Sequence, residues 1–183
     1  MSERLCWRDA ERAAEWLRSK PGNRRTLLLI AQLPFVPERV LKWMVGLKGK
    51  ASIYRSLARI REGGLIATIT PPLSPGRSSE LYYLTDMGLA TIALDRDIEL
   101  AHLVRQLHLR GADLLSLLPN LSQLVATYDL LAALAASREG QPHLLAWERP
   151  WRRRFERPTA KAPVSVTLPA YAALSWDGRP GVY

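Results

Sequence analysis

Three stretches of helical periodicity open the chain, each ended by residues that interrupt a helix. They cover residues 9–19, 25–32 and about 36–45, and the interruptions are Pro21-Gly22-Asn23 and Pro34. In the third stretch we expect Pro37 to occupy the first helical turn, because its missing N–H would be unpaired there in any case. The pattern therefore predicts three short helices, followed by a tight connection over 46–49.

A fourth helix, predicted over about 51–62, has the clearest division between an apolar and a polar side. Ile53, Leu57 and Ile60 recur at i, i+4 and i+7, so they share one buried face. The glycine pair at 63–64 ends the helix. The opposite face, which is polar, is then predicted to be exposed.

Two β-prone segments and a capped helix come next. Residues 65–70 and 81–84 predict short strands, joined by a loop over 71–80 that contains three prolines and three serines. Thr85 then predicts the start of a helix to about residue 95, because its hydroxyl can accept from an N–H of the first turn. This order of helices and hairpin is typical of a winged helix-turn-helix, here between about Arg24 and Asp95.

The C-terminal half carries weaker signals. Helices are predicted over 102–109 and 114–136 with a break at Pro119-Asn120, strands over 144–147, 164–168 and 171–176, and a basic loop over 149–163. The chain is thus predicted to be α+β with two parts. Residues 1–97 form a winged helix-turn-helix domain with an N-terminal helix, and residues 98–183 form a helical linker plus a small α/β region.

Charge points to a polyanionic partner. The 183 residues carry a net charge of +9, and nine basic residues face only two acidic ones between residues 24 and 62. Cys6 is the only cysteine, so neither a disulfide within the chain nor a cysteine-based metal site is expected. The N-terminus lacks the apolar core of a signal peptide, and no apolar run is long enough to span a membrane. We therefore expect a cytoplasmic protein without a cofactor that binds double-stranded DNA.

The candidate DNA contacts lie on the fourth helix and around it. They are Lys48, Lys50, Ser52, Tyr54, Arg55, Ser56, Arg59 and Arg77. Arginine can bind guanine O6 and N7 with two hydrogen bonds, and serine can donate to bases or phosphates. Lysines in the turn that enters the helix suit backbone phosphates, and Arg77 near the tip of the wing suits a phosphate or the minor groove. The alternative is an ordinary solvated helix face.

The chain resembles the replication-relaxation family of bacterial plasmids and integrated mobile elements over about Thr26–Trp147. The resemblance rests on the winged helix, on LYYLTDMGLATIAL after the wing, and on LVATYDLLAALAAS followed by LLAWERPW. The first part is also similar to MarR-like and PadR-like regulators. The family implies a C-terminal region similar to restriction-endonuclease folds. Glu148 resembles an early acidic position of that fold, but Pro169-Ala170-Tyr171 stands where Pro-Asp is expected, so we expect a degenerate region without hydrolysis.

Three alternatives stay open at this point. The protein is a DNA-binding regulator of replication or transcription, a protein-interaction adaptor that keeps a winged helix as scaffold, or a metal-dependent nuclease remnant. The apolar stretch Leu114–Ala136 is either a homodimer contact or packs within the chain. The arginine run at 152–154, flanked by Trp151 and Phe155, is a second nucleic-acid contact or a solvated loop.

Overall fold

A computed structural model of the protein describes most of the chain in nine segments. These are residues 7–45, 50–71, 80–107, 111–136, 142–148, 151–155, 164–168, 171–176 and 179–182. The helices are α1 (Trp7–Arg18), α2 (Pro21–Gln32), α3 (Glu38–Val45), α4 (Lys50–Glu62), α5 (Asp86–Asp95), α6 (Leu100–Leu107), α7 (Gly111–Leu117) and α8 (Leu121–Ala136), with a 3-10 turn at Leu118–Asn120. The strands are β1 (Val36–Pro37), β2 (Ile66–Ile69), β3 (Leu81–Leu84), β4 (Pro142–Glu148), β5 (Trp151–Phe155), β6 (Val164–Leu168), β7 (Tyr171–Trp176) and β8 (Arg179–Val182).

The first three strands form one small sheet that joins the helices to the wing. Its order is β1-β3-β2, and every pairing is antiparallel. Pro37 lies opposite Leu81 in this sheet, so the expectation that it begins a helix is wrong. The helix starts one residue later, at Glu38. A strand of two residues leaves no periodic signal, and proline is tolerated at such an edge.

Pro21 also has a different role from the expected one. The Pro21-Gly22-Asn23 segment ends α1, but it is at the same time the first turn of α2, in which proline occupies one of the first two positions. The backbone N–H of Arg24 already bonds to the carbonyl of Lys20, 3.0 Å away. As a result α2 is longer than predicted, and Asn23 is buried inside it.

The end of α4 is fixed by two glycine-dependent hydrogen bonds. Leu65 N–H donates to the carbonyl of Ile60 at 3.1 Å, and Gly64 N–H donates to the carbonyl of Arg61 at 2.9 Å. This is the Schellman arrangement, which requires a left-handed residue, and Gly64 supplies it with φ of 70°. The prediction that the glycine pair terminates the helix is confirmed.

Thr85 joins the wing to the next helix as predicted. Its hydroxyl accepts from the N–H of Gly88 at 3.0 Å and donates to the carbonyl of Gly64 at 2.6 Å. The chain also passes very close to itself here, because a Cβ added to Gly88 would lie 2.1 Å from the carbonyl oxygen of Leu65. The start of α5 is thus pinned against the end of α4.

The apolar side of α8 packs within the chain. Leu124, Tyr128 and Leu131 are buried, and α8 contacts α3 and β1. The Tyr128 hydroxyl donates to the carbonyl of Pro34 at 2.9 Å. Of the two readings of 114–136, packing within the chain therefore holds for this face. The predicted break at Pro119-Asn120 is confirmed, because residues 118–120 form a 3-10 turn. The boundary at residue 97 stays a prediction, and the buried cluster includes residues from both sides of it.

The C-terminal strands are all antiparallel within the described residues. They form a sheet of order β4-β7-β8 and a pair β5-β6. Trp151 lies opposite Leu168 and Phe155 opposite Val164, so the expectation of a loop at 151–155 is wrong. Glu148 lies at the end of β4 opposite Tyr171. The antiparallel strands do not confirm the expected nuclease-like α/β region.

Candidate nucleic-acid interface

Helix α4 is held by one face, as the sequence predicts. Ile53, Leu57 and Ile60 are buried in the core shared by α2, α3 and the sheet. Arg55 and Arg59 are exposed, and Ser52 is partly exposed. These three lie at i, i+3 and i+7, so they form one polar stripe along the helix. A helix fixed in this way can present its stripe to a groove without losing its position.

Ser56 does not belong to that stripe, which corrects the sequence prediction. Its side chain is buried, and its hydroxyl donates to Oδ1 of Asn23 at 2.7 Å. It also lies 3.3 Å from the hydroxyl of Thr26. The physical reason is helical spacing, since position 56 follows Ile53 by three residues and precedes Ile60 by four. Ser56 therefore joins α4 to α2.

A cleft of about 280 Å³ separates the start of α2 from α4. Its walls include Gly22 and Asn23 from α2, and Ser52, Arg55 and Arg59 from α4. The first N–H groups of a helix and its positive dipole end favour an anion, and two guanidinium groups on the opposite wall add to that effect. Sequence reasoning missed Gly22 and Asn23. The signal that could have found them is Pro21, which often begins a helix.

Tyr54 lies beside the stripe, and its hydroxyl is bonded to α3. The hydrogen bond to Glu38 and the negative charge of that carboxylate raise the pKa of Tyr54 from its usual value of 10.0. The ring itself is exposed. Trp43 on α3 is also exposed, at 50%, and the ammonium of Lys42 lies 5.5 Å from its ring centre.

The remaining predicted contacts lie outside the described residues or at their edge. Lys48 and Arg77 fall in segments 46–49 and 72–79, which the structure does not describe. Lys50 is the first residue of α4, but its side chain is not described either. At the base of the wing, a guanidinium nitrogen of Arg61 lies 3.6 Å from a carboxylate oxygen of Glu80. The wing contact at Arg77 therefore stays a prediction.

The described part of the chain holds no group of three or more histidine, cysteine, aspartate or glutamate side chains that could bind a metal ion. No helix in the described segments has the length and apolar character to cross a membrane.

The order α2-β1-α3-α4-β2-β3 with the sheet order β1-β3-β2 defines a winged helix-turn-helix. Among solved structures, the chain is similar to the crystal structure of a MarR family transcription regulator, with 27% identity, 70% of this chain and 82% of that chain covered, and a TM-score of 0.40. No protein-family model and no curated protein matches the chain. The resemblance to the replication-relaxation family stays a prediction.

Proposed function

We propose that the protein binds double-stranded DNA with α4 in the major groove and acts without chemistry of its own. The observation that carries this proposal is the polar stripe Ser52, Arg55 and Arg59 on a helix whose other face is locked into the core. A major groove admits an α-helix, and its base edges offer paired acceptors to arginine. The concentration of positive charge between residues 24 and 62 adds the attraction to phosphates that every such complex needs.

The cleft at the start of α2 completes the proposed interface. A backbone phosphate beside the groove would meet the N–H groups of Gly22 and Asn23 on one side and Arg55 or Arg59 on the other. Phosphate contacts fix orientation, and base contacts specify sequence. We assign Arg55 to the base edges of the groove and Arg59 to the phosphate in this cleft, and Lys48, Lys50 and Arg77 to further phosphates on either side of the groove.

The proposed biological role is regulation of replication or transcription in a plasmid or mobile element, in the cytoplasm. The sequence resemblance described above supports the mobile-element setting. Selection of bound duplexes from a random pool tests the proposal directly, because it reports binding, sequence preference and half-site symmetry together. A pool that yields no enriched duplex at low salt contradicts DNA reading by this surface.

Alanine variants then test the residue assignments by fluorescence anisotropy on the selected duplex. Arg55→Ala is expected to weaken binding by about 5- to 150-fold, with loss of preference at one base pair, since a bidentate pair is worth about 1–3 kcal/mol. Lys48→Ala should weaken all duplexes equally and lower the salt dependence. Arg105→Ala is the matched control, because Arg105 is an exposed arginine on α6 whose side chain bonds to its own helix.

Exposed leucines on α7 and α8 favour one additional proposal, a homodimer. Leu115 and Leu130 are 64% and 60% exposed, and no residue of α7 is buried. We propose that the part of Leu114–Ala136 not covered by α3 meets its equivalent in a second copy. Light scattering should report twice the chain mass, reduced to one chain by Leu115→Ser with Leu130→Ser. A wild-type monomer that captures another protein through these leucines would favour the adaptor alternative instead.

The nuclease alternative has its own test. Magnesium-dependent cleavage of a duplex that is lost on Glu148→Ala would overturn the proposal that the protein acts without chemistry.

A further inference from the structure

A second pocket lies along a face of α2 that does not contact α4. Residues 21, 24, 25, 28, 29 and 32 of α2 line it, and they follow the i, i+3, i+4, i+7 spacing of one helical stripe. Asn23 and Thr26, which bond to Ser56 of α4, belong to another face. The pocket has a volume of about 370 Å³ and is completed by α1, α3, β4 and the residue after α5.

Four arginines surround this pocket: Arg18, Arg24, Arg25 and Arg96. They come from α1, from α2 and from the C-cap of α5, so they converge from separate parts of the fold. Like charges gathered in one place repel each other. An anion placed among them relieves that repulsion.

One buried carboxylate accounts for part of this charge. The side chain of Asp95 is 1% exposed, and one of its oxygens lies 2.7 Å from Nε of Arg24. The other oxygen has no hydrogen-bond partner among the residues that the structure describes, and it is 3.9 Å from Nε of Arg18. Within the described residues Arg18 and Arg24 share this single carboxylate, so the two guanidinium groups together keep a positive excess beside the pocket.

Two of the arginines also donate to backbone carbonyl oxygens. Arg18 bonds to the carbonyl of Leu94 at 2.9 Å, and Arg25 bonds to that of Met44 at 3.2 Å. Burial lowers the pKa of Arg25 from its usual value, because its charged form loses contact with water. These bonds hold the guanidinium planes in place around the pocket. Fewer side chains then need to be ordered when a ligand binds, so the entropy cost of binding is lower.

The remaining wall of the pocket is apolar. It consists of Leu28, Leu29, Met44 and Leu144. A bare inorganic anion would use the arginines and leave this wall uncovered. A ligand with both an anionic head and a hydrocarbon tail would use both walls, and a volume of about 370 Å³ accommodates a small molecule of this kind.

We propose that this pocket binds a small amphiphilic anion, with its carboxylate or phosphate head on the arginines and its tail against the leucines and Met44. Planar guanidinium groups match both head groups, since each can accept two parallel hydrogen bonds. The proposal is independent of DNA binding, because the pocket shares no lining residue with the cleft beside α4.

Calorimetric titration of the full chain with four probes separates the contributions of head and tail. The probes are hexanoate, hexyl phosphate, 1-hexanol and inorganic phosphate. We expect hexanoate or hexyl phosphate to bind at least about tenfold more tightly than 1-hexanol, which lacks the charged head, and than inorganic phosphate, which lacks the apolar tail. The comparison of hexanoate with hexyl phosphate identifies the head group.

Three results would overturn the proposal. They are equal binding of hexanoate and 1-hexanol, equal binding of inorganic phosphate and hexyl phosphate, and no binding of any probe at millimolar concentration. The first would leave only an apolar pocket, and the second a plain anion site.

Arg96→Gln tests the location of the site. The side chain of Arg96 is exposed, and its backbone N–H rather than its side chain caps α5, so this variant should fold normally. It should weaken binding of the preferred probe about tenfold, whereas the control Arg105→Gln on α6 should leave binding unchanged. Equal affinity in both variants, with unchanged melting temperatures in the absence of ligand, would place the ligand elsewhere.

Discussion

Replacing Gly88 by alanine is expected to destabilise the junction between the wing and α5. The added methyl carbon would lie 2.1 Å from the carbonyl oxygen of Leu65 and 3.0 Å from a methyl of Leu84. The oxygen belongs to the backbone and already accepts from the N–H of Thr85 at 3.2 Å. It therefore cannot move away without weakening a hydrogen bond that closes the hairpin.

The size of the effect follows from two opposing contributions. Forcing a methyl group into a packed position costs about 1–3 kcal/mol, and a weakened hydrogen bond costs up to about 1.5 kcal/mol. Alanine in place of glycine within a helix returns about 1 kcal/mol. Gly88→Ala should therefore lower the free energy of unfolding by up to about 3.5 kcal/mol, with the centre of the range at about 2 kcal/mol.

Urea unfolding followed by circular dichroism measures this change. Gly22→Ala is the matched control, because Gly22 is also in a helix but a Cβ there would meet no atom within 4 Å. The control should be neutral or more stable by up to about 1 kcal/mol. If Gly88→Ala is as stable as Gly22→Ala, the close approach between α5 and Leu65 is not a constraint on the fold, and the reasoning fails.

Three further changes test other contacts. Tyr128→Phe should lower the free energy of unfolding by about 1–2 kcal/mol in the same assay, because the carbonyl of Pro34 loses a buried donor; no loss would mean that α8 does not secure the winged helix. Ser56→Ala should also cost about 1–2 kcal/mol by removing the donor to Asn23, yet leave the selected DNA sequence unchanged, whereas an altered preference would return Ser56 to the interface. Burial, followed by the charge of a nearby carboxylate, raises the pKa of Tyr82 from 10.0 to about 12. The resulting stabilisation is complete below pH 10 and is lost as the pH rises toward 12, so the fall in the free energy of unfolding over that range should be smaller by about 1–2 kcal/mol in Tyr82→Phe than in the wild type.

The helices and the wing could be predicted because their signals are local. Thr85 and the glycine pair at 63–64 fix their elements through bonds to residues a few positions away along the chain or directly across the hairpin. Ile53, Leu57 and Ile60 likewise reveal their buried face by spacing alone. Local chemistry of this kind is visible in a sequence.

The errors arose where a distant partner decides the structure. Val36 and Pro37 become a strand because Tyr82 and Leu81 lie beside them, more than forty residues further along the chain. The arginine run at 152–154 lacks alternation, but it pairs with β6 across the sheet. A window of about 11–18 residues cannot contain both halves of the first pairing, and in the second the run of three arginines conceals the strand.

The wrong prediction for Ser56 has a different cause, because the helical spacing already indicated that this side chain is buried. Positions 53, 56, 57 and 60 form one stripe, and only the polar identity of serine suggested the other face. Burial of a hydroxyl is acceptable once it is hydrogen-bonded, and Asn23 and Thr26 supply the partners. Because Asn23 was expected to interrupt a helix and Ser56 to be exposed, neither partner of this hydrogen bond was predicted to be buried.

The bond from Tyr128 to Pro34 has a consequence for how the protein is made. The two residues are separated by 94 positions, so a ribosome completes β1 long before it adds the tyrosine that closes over it. At about 5–20 residues per second, the ribosome adds Tyr128 roughly 5–20 s after it has added Pro34. During that interval the part of α3 that α8 covers in the folded protein remains exposed, so it is accessible to chaperones and to aggregation.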